Sequence, residues 1–125
     1  MKNVVSILIL ALIMSMNASG QTVKKELRHV VLFGWKATAD STAVNAAVNA
    51  FKMLPTQIKT IKKFEWGVNN SPEKINQGLT HCFFATFGSE KDRDDYLVHP
   101  DHKAFTVIAG PHIDKVTVVD YWVEK

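Results

Sequence analysis

Cysteine is almost absent from this sequence of 125 residues, and Cys82 is its single representative. One thiol excludes an internal disulfide framework, and it also excludes an iron–sulfur cluster or a zinc site built on several thiolates. A strong charge imbalance is missing as well, because 15 Lys and Arg accompany 12 Asp and Glu for a net charge of +3. These charges are evenly scattered, which argues against a nucleic-acid partner. With 46% hydrophobic and 22% charged residues, the composition is that of one globular domain.

Cofactor motifs are also missing from the sequence. It contains neither a glycine-rich phosphate loop nor a Gly-x-Ser-x-Gly nucleophile motif. His99, Asp101, His102 and His112 are close in sequence, but their spacing matches no metal-ligand signature. We therefore expect neither a cofactor nor a bound metal.

One long apolar run is present, at residues 4–14. Lys2 precedes it, and small and polar residues follow at positions 16–21. A basic start, a short apolar core and a small-residue exit predict a secretory signal peptide over residues 1–20, although a buried N-terminal helix is an alternative. Because the run is shorter than the ~20 residues that span a bilayer, we expect no permanent membrane anchor. Cleavage after Ala18 or Gly20 would leave a secreted or periplasmic domain over residues 21–125.

The remaining pattern predicts an α+β domain with the order β-α-β-β-α-β, the ferredoxin-like arrangement with a four-stranded antiparallel sheet. Alternating and β-branched segments predict strands, and apolar residues at helical spacing predict helices. Pro55 is expected to end the first helix, and two short helices follow the third strand. The predicted strands cover residues 27–36, 61–69, 79–87 and 116–123, and the helices cover residues 41–54, 90–97 and 100–109.

Two of the predicted strands are apolar on both faces. In the first strand Val30 and Leu32 oppose Val31 and Phe33, and in the third strand Phe84 opposes its neighbour. Helices can cover only one face of a four-stranded sheet, and a soluble monomer rarely leaves the other face bare and apolar. The pattern therefore predicts a homodimer that forms through the open sheet face, with Cys82 as a small hydrophobic residue within it.

Several segments resemble the stress-responsive α/β-barrel family, also called Dabb domains. The opening strand Leu-Arg-His-Val-Val-Leu-Phe at residues 27–33 is similar to the family's first strand. Residues 96–102, Tyr-Leu-Val-His-Pro-Asp-His, resemble its Tyr-x-x-His-Pro-x-His segment. Residues 64–69 and 118–121 resemble two further strands, so the resemblance covers about residues 27–123.

The resemblance implies a ferredoxin-like dimer whose two sheets pack into an α/β barrel. In the plant polyketide cyclases of the family, a Tyr and the second His of that segment perform acid–base catalysis. By position these residues are Tyr96 and His102, and the resemblance also places His29 and His81 in the pocket.

The residue pattern itself leaves two interpretations of these histidines. His29 and His81 lie on apolar faces of different strands and could meet across the sheet, as acid–base groups or as neutral structural partners. His102 shares a helical face with Phe105. That face either directs His102 into an apolar cavity beside Tyr96 or gives it a purely structural packing role. We expect that cavity between the first helix and the sheet, with ligand-contacting residues Val31, Phe33, Val48, Phe51, Phe83, Leu97 and Phe105.

Three functions are compatible with this pattern. The first is a pocket that binds a small apolar or aromatic molecule and catalyses proton transfer, similar to a polyketide cyclase or lyase. The second is a non-catalytic stress or assembly protein whose role depends on a stable dimer. The third, taken from related dimeric barrels, is a cofactor-independent monooxygenase. An open pocket favours the first, and a pocket filled by phenylalanine side chains favours the second.

Overall fold

The computed structural model describes residues 24–124, so the predicted signal peptide and its cleavage site lie outside the described residues. Within this range no helix is long and apolar enough to cross a membrane. The elements follow the order β-α-β-β-α-α-β. They are β1 (Leu27–Trp35), α1 (Ser41–Gln57), β2 (Lys63–Val68), β3 (His81–Phe87), α2 (Glu90–Val98), α3 (Pro100–Ala109), a short 3-10 turn (Gly110–His112) and β4 (Ile113–Trp122).

The four strands form one antiparallel sheet in the order β2-β3-β1-β4. This arrangement confirms the predicted ferredoxin-like α+β fold, in which the two central strands are β1 and β3. Residue His29 of β1 lies opposite Ala85 of β3 on one side and opposite Asp120 of β4 on the other. Because β1 is a central strand, it contacts β3 on one side and β4 on the other.

Helix α1 forms because Asp40 caps it, and its carboxylate accepts the backbone N–H of Ala43 at 2.8 Å. Its apolar stripe is buried against the sheet, as the helical spacing predicts. The prediction that Pro55 ends this helix is wrong, since α1 continues to Gln57. Pro55 removes only one backbone hydrogen bond in the last turn, and the buried side chain of Leu54 keeps that turn on the core.

A sharp junction separates α2 from α3 at His99. Ser89 starts α2 by accepting the backbone N–H of Asp92 at 3.0 Å. His99 is extended, and its imidazole accepts the backbone N–H of Asp101 at 3.2 Å, while Pro100 occupies the first turn of α3. His99 therefore has a capping role, and the change of direction brings the end of α2 close to the start of α3.

The loop between β2 and β3 lies against one end of the open sheet face. The backbone N–H of Thr80 donates to the carbonyl of Phe33, which ties the loop to β1. A Cβ on Gly34 would lie 2.5 Å from the carbonyl oxygen of Gly78, so this close approach requires a glycine. The loop covers only this end, and the apolar side chains of Val119 and Tyr121 remain exposed on the same face.

Candidate functional site

A cavity of about 660 Å³ lies between helices α2 and α3 and the β1–β4 half of the sheet. The expected position between the first helix and the sheet is wrong, because α1 contributes only Phe51 to the lining. Helix α1 instead packs closely on β3, where the ring centroids of Phe51 and Phe83 are 4.2 Å apart. The apolar lining of the cavity includes Val31, Phe33, Phe51, Phe105, Val116 and Val118.

Tyr96 projects from the last turns of α2 into this cavity and is fully buried. Its hydroxyl has no hydrogen-bond partner among residues 24–124. The ring of His102 lies 4.5 Å away and that of His29 lies 5.5 Å away, measured between centroids. Burial raises the pKa of Tyr96 far above its usual value, and the nearby Asp120 carboxylate raises it further. The phenol therefore stays protonated and can donate a hydrogen bond.

His102, in the first turn of α3, presents a defined tautomer to the cavity. Its Nδ1 donates to the backbone carbonyl of Leu97 at 3.1 Å, which leaves Nε2 as a proton acceptor. Burial is the largest cause that lowers the pKa of His102, and the bond to Leu97 opposes it. The neighbouring imidazoles of His29 and His99 lower the pKa further. The ring is therefore neutral at pH 7.

His29 is held by a chain of charged groups. Its Nδ1 donates to Asp120 Oδ1 at 2.7 Å, and Asp120 Oδ2 accepts from Arg93 Nη1 at 2.6 Å. Arg93 Nε also donates to Asp94 at 2.8 Å. The carboxylate of Asp120 fixes the Nδ1–H tautomer of His29. Asp120 thus orients the ring of His29 in the same group of side chains as Tyr96.

His81 does not join these residues. It lies opposite Phe33 in the β1–β3 register, whereas His29 lies opposite Ala85, four residues further along the strand. Four residues of strand separate side chains by about 13 Å, so the expected meeting of the two histidines is excluded. His81 instead accepts the indole N–H of Trp35 at 3.0 Å, outside the cavity lining.

The predicted ligand-contacting residues also fall into two groups, one inside the cavity lining and one outside it. Val48 and Phe83 belong to the core and not to the cavity. The others line it together with three of the four predicted catalytic residues. The cavity thus brings together Tyr96, His102, His29, Val31, Phe33, Phe51, Leu97 and Phe105.

Residues 27–123 match the family model of the stress responsive A/B barrel domain, Dabb. The chain belongs to this family. The stress-response A/B barrel domain-containing protein HS1 of Arabidopsis thaliana is 33% identical over 101 residues, 81% of this chain and 93% of that protein. Olivetolic acid cyclase of Cannabis sativa is 23% identical over 79% of this chain and 98% of the cyclase.

Solved structures show the same fold as this Dabb domain. A hydroxynitrile lyase from Passiflora edulis superimposes with a TM-score of 0.76 at 22% identity, over 82% of this chain and 96% of the lyase. A protein from Thermobifida fusca, described as dimeric and ferredoxin-like, gives a TM-score of 0.70 at 25% identity, over 81% and 93% of the two chains. The identity is low in both cases, and the likeness is one of fold.

The side chains of the Dabb cavity suit proton transfer better than metal binding. Residues 24–124 contain no group of three His, Cys, Asp or Glu side chains that could hold a metal ion. The polar wall instead combines the phenol donor of Tyr96 with the imidazole acceptor of His102, above an apolar floor. A donor and an acceptor at one end of an apolar cavity can polarise a carbonyl and remove a proton beside it.

Arg93 and Asp120 are members of this wall that were not predicted from the sequence. Asp120 had a detectable signal, since it is a charged residue between the hydrophobic residues Val119 and Tyr121. Its partner Arg93 had no such signal, because several charged residues surround it on α2. The pairing depends on the β1–β4 register and on where α2 crosses the sheet.

Proposed function

We propose that this Dabb domain binds a small, mostly apolar molecule in its cavity and catalyses proton transfer on it. The observation that carries the proposal is the fully buried Tyr96 hydroxyl, which has no hydrogen-bond partner among the described residues and lies beside the neutral ring of His102. A buried hydroxyl without a partner costs about 1–3 kcal/mol, so a ligand oxygen that accepts its hydrogen bond is strongly favoured.

The proposed step is the removal of a proton from carbon next to a carbonyl group. The carbonyl oxygen accepts a hydrogen bond from Tyr96, and Nε2 of His102 takes the proton as the electron pair moves into the enolate. Return of that proton from His102 to carbon, or to another atom of the ligand, completes the cycle. Burial favours the step because it keeps His102 neutral and Tyr96 protonated at pH 7.

The experiment uses phenylacetone, an aromatic ketone with acidic C–H groups next to its carbonyl. Its exchange into D2O is followed by proton NMR with wild type, His102→Gln and His81→Gln. We expect wild type to accelerate exchange and His102→Gln to lose at least a hundredfold of the acceleration. His81→Gln should behave as wild type, because of these two histidines only His102 lines the cavity.

Two results would contradict this proposal. One is an equal loss in both histidine variants, which would mean that folding and not acid–base chemistry was affected. The other is a wild-type rate no faster than buffer although the ketone perturbs the NMR signals of cavity residues. That result would favour the non-catalytic alternative, a binding or stress protein.

We also propose that the domain works as a homodimer formed through its open sheet face. Val119 and Tyr121 are 51% and 44% exposed there, and Phe84 is half-buried on the same face, on the other side of Val30. Proteins of this fold from Thermobifida fusca and Bacteroides fragilis are described as dimeric, which supports the proposal. An apolar face of this kind is costly to leave in water.

Light scattering on Phe84→Glu tests the dimer. A charge within this interface should abolish the dimer and the fold, because an unpaired buried charge costs several kcal/mol. Val107→Glu is the control, since Val107 is 75% exposed on α3 and away from the open face. A folded wild-type monomer at micromolar concentration would contradict the proposal.

Export is proposed from residues 1–20 alone. If the protein is expressed with its own leader, the mature form should begin at Ser19 or Gln21 outside the cytoplasm. N-terminal sequencing of the recovered protein tests this, and a soluble cytoplasmic form that retains Met1 would contradict it.

A further inference from the structure

The charged side chains at the rim of the cavity are unequal in sign. Asp94, Asp114 and Asp120 are carboxylates, and Arg93 is the single cation of the lining. The neutral ring of His102 does not offset this excess. The aspartate and arginine side chains of the lining therefore carry a net charge of −2 around an apolar floor.

Arg93 is not free to receive an anionic ligand. Its Nη1 and Nε already donate to Asp120 at 2.6 Å and to Asp94 at 2.8 Å. A ligand carboxylate would compete with two carboxylates already in place and would add another negative charge beside them.

Asp114, unlike Arg93, is free to contact a ligand. It is exposed at the start of β4, and it forms no ion pair with another of residues 24–124. The backbone of Lys36 forms a hydrogen bond with the 3-10 turn that precedes β4. Its ammonium group donates to the carbonyl of Pro111, and Lys36 lies outside the cavity lining. Asp114 is therefore the carboxylate of the rim that a ligand can reach without displacing a partner.

A second, independent observation shows that the cavity is built for a ligand. The Tyr96 hydroxyl is fully buried, lines the cavity and is without a hydrogen-bond partner among the described residues. A ligand would therefore place a hydrogen-bond acceptor at Tyr96, deep in the cavity, and a charged group at the acidic rim.

We propose that the cavity selects ligands that carry a cationic nitrogen on an apolar, aromatic body, and that it discriminates against carboxylates. The nitrogen is placed at the rim beside Asp114, and the apolar body lies over Phe33 and Phe105. This inference rests on the proposed ligand cavity but not on the proton-transfer step.

Three acetophenones test the proposal, because they share an aromatic body and a carbonyl oxygen that can accept from Tyr96: 4-(aminomethyl)acetophenone, 4-(hydroxymethyl)acetophenone and 4-acetylbenzoate. Their dissociation constants are measured by NMR titration at pH 7.5 and low salt. We expect the amine to bind about two- to fivefold more tightly than the alcohol, and the carboxylate to bind more weakly than the alcohol by a similar factor. Both differences should shrink at about 1 M salt, because the rim is exposed to solvent.

Asp114→Asn provides the decisive variant. It should remove most of the preference for the amine and leave the affinity for the alcohol unchanged. Asp95→Asn is the matched control, because Asp95 lies on α2 outside the cavity and pairs with Lys91. This control should keep the wild-type order of the three probes.

The possible failures are distinguishable. If none of the three probes binds to wild type, the proposed ligand cavity itself is wrong. If all three bind equally, or the carboxylate binds best, the cavity stands and the charge preference is wrong. A preference for the amine that survives in Asp114→Asn would also overturn the inference, because the selectivity would then come from elsewhere.

Discussion

The two halves of the helix-covered sheet face differ in how completely side chains fill them. Over β2 and β3, the long helix α1 presses Phe51 onto Phe83, and both residues are almost inaccessible. Over β1 and β4, the shorter helices α2 and α3 cross above the sheet and leave a cavity of about 660 Å³. Val116 and Val118 of β4 consequently remain more than half exposed although they lie on the same face as the core.

This difference separates stability from chemistry. The filled half contains stacked aromatic rings with few polar atoms, whereas the open half contains Tyr96, His102 and the charged chain that ends at His29. Close packing stabilises a domain but leaves no space for a ligand. We therefore expect substitutions in the filled half to change stability and substitutions in the open half to change ligand chemistry.

The largest effect is expected for Phe83→Ala. This residue contacts Phe33, Phe51 and Phe64 and lies outside the cavity lining, so its removal leaves a large void in the filled half. We expect a loss of about 3–5 kcal/mol in the free energy of unfolding, as measured by urea denaturation. Val118→Ala, in the open half, should change it by no more than about 0.5 kcal/mol, which is typical of surface positions. Similar losses at both sites would remove the distinction between the two halves.

An intermediate effect on stability is expected when the pH is lowered, because His102 becomes protonated. The folded state holds the pKa of His102 below its usual value near 6.5, so the unfolded chain takes up a proton first as the pH falls. Stability is therefore fully present above about pH 6.5 and is lost as the pH falls towards the lower folded pKa. The urea midpoint of wild type should fall between pH 7.5 and pH 5, and His102→Gln should lose less over the same range. An unchanged acid loss in the variant would mean that His102 is not the group responsible.

Parts of this site could be predicted from the sequence because they depend on local periodicity. The alternation along β1 places His29 on the helix-covered face, and the spacing along α3 places His102 beside Phe105. The segment that resembles the Dabb family adds Tyr96. Each of these predictions needs only the neighbours of a residue along its own strand or helix.

Other parts depend on geometry between elements, which periodicity does not specify. His81 was expected near His29, but the register of β1 against β3 separates them by four residues. Asp120 and Arg93 meet because β4 pairs with β1 at His29 and α2 crosses above that point. The position of the cavity likewise follows from the length of α1 and from the break between α2 and α3.

A small effect on stability, opposite in sign to the losses above, is expected for Tyr96→Phe. The substitution removes a buried hydroxyl that has no hydrogen-bond partner among the described residues and keeps the ring that packs on His102 and Phe87. Because the folded state no longer has to desolvate that hydroxyl without compensation, we expect the free energy of unfolding to rise by about 1 kcal/mol. The same variant should slow the exchange of phenylacetone, since the carbonyl oxygen loses its donor. Tyr121→Phe, whose ring is 44% exposed on the open sheet face, serves as the matched control and should leave the exchange rate unchanged. A Tyr96→Phe protein that is less stable than wild type would show that the hydroxyl is already satisfied in the folded protein and needs no ligand oxygen.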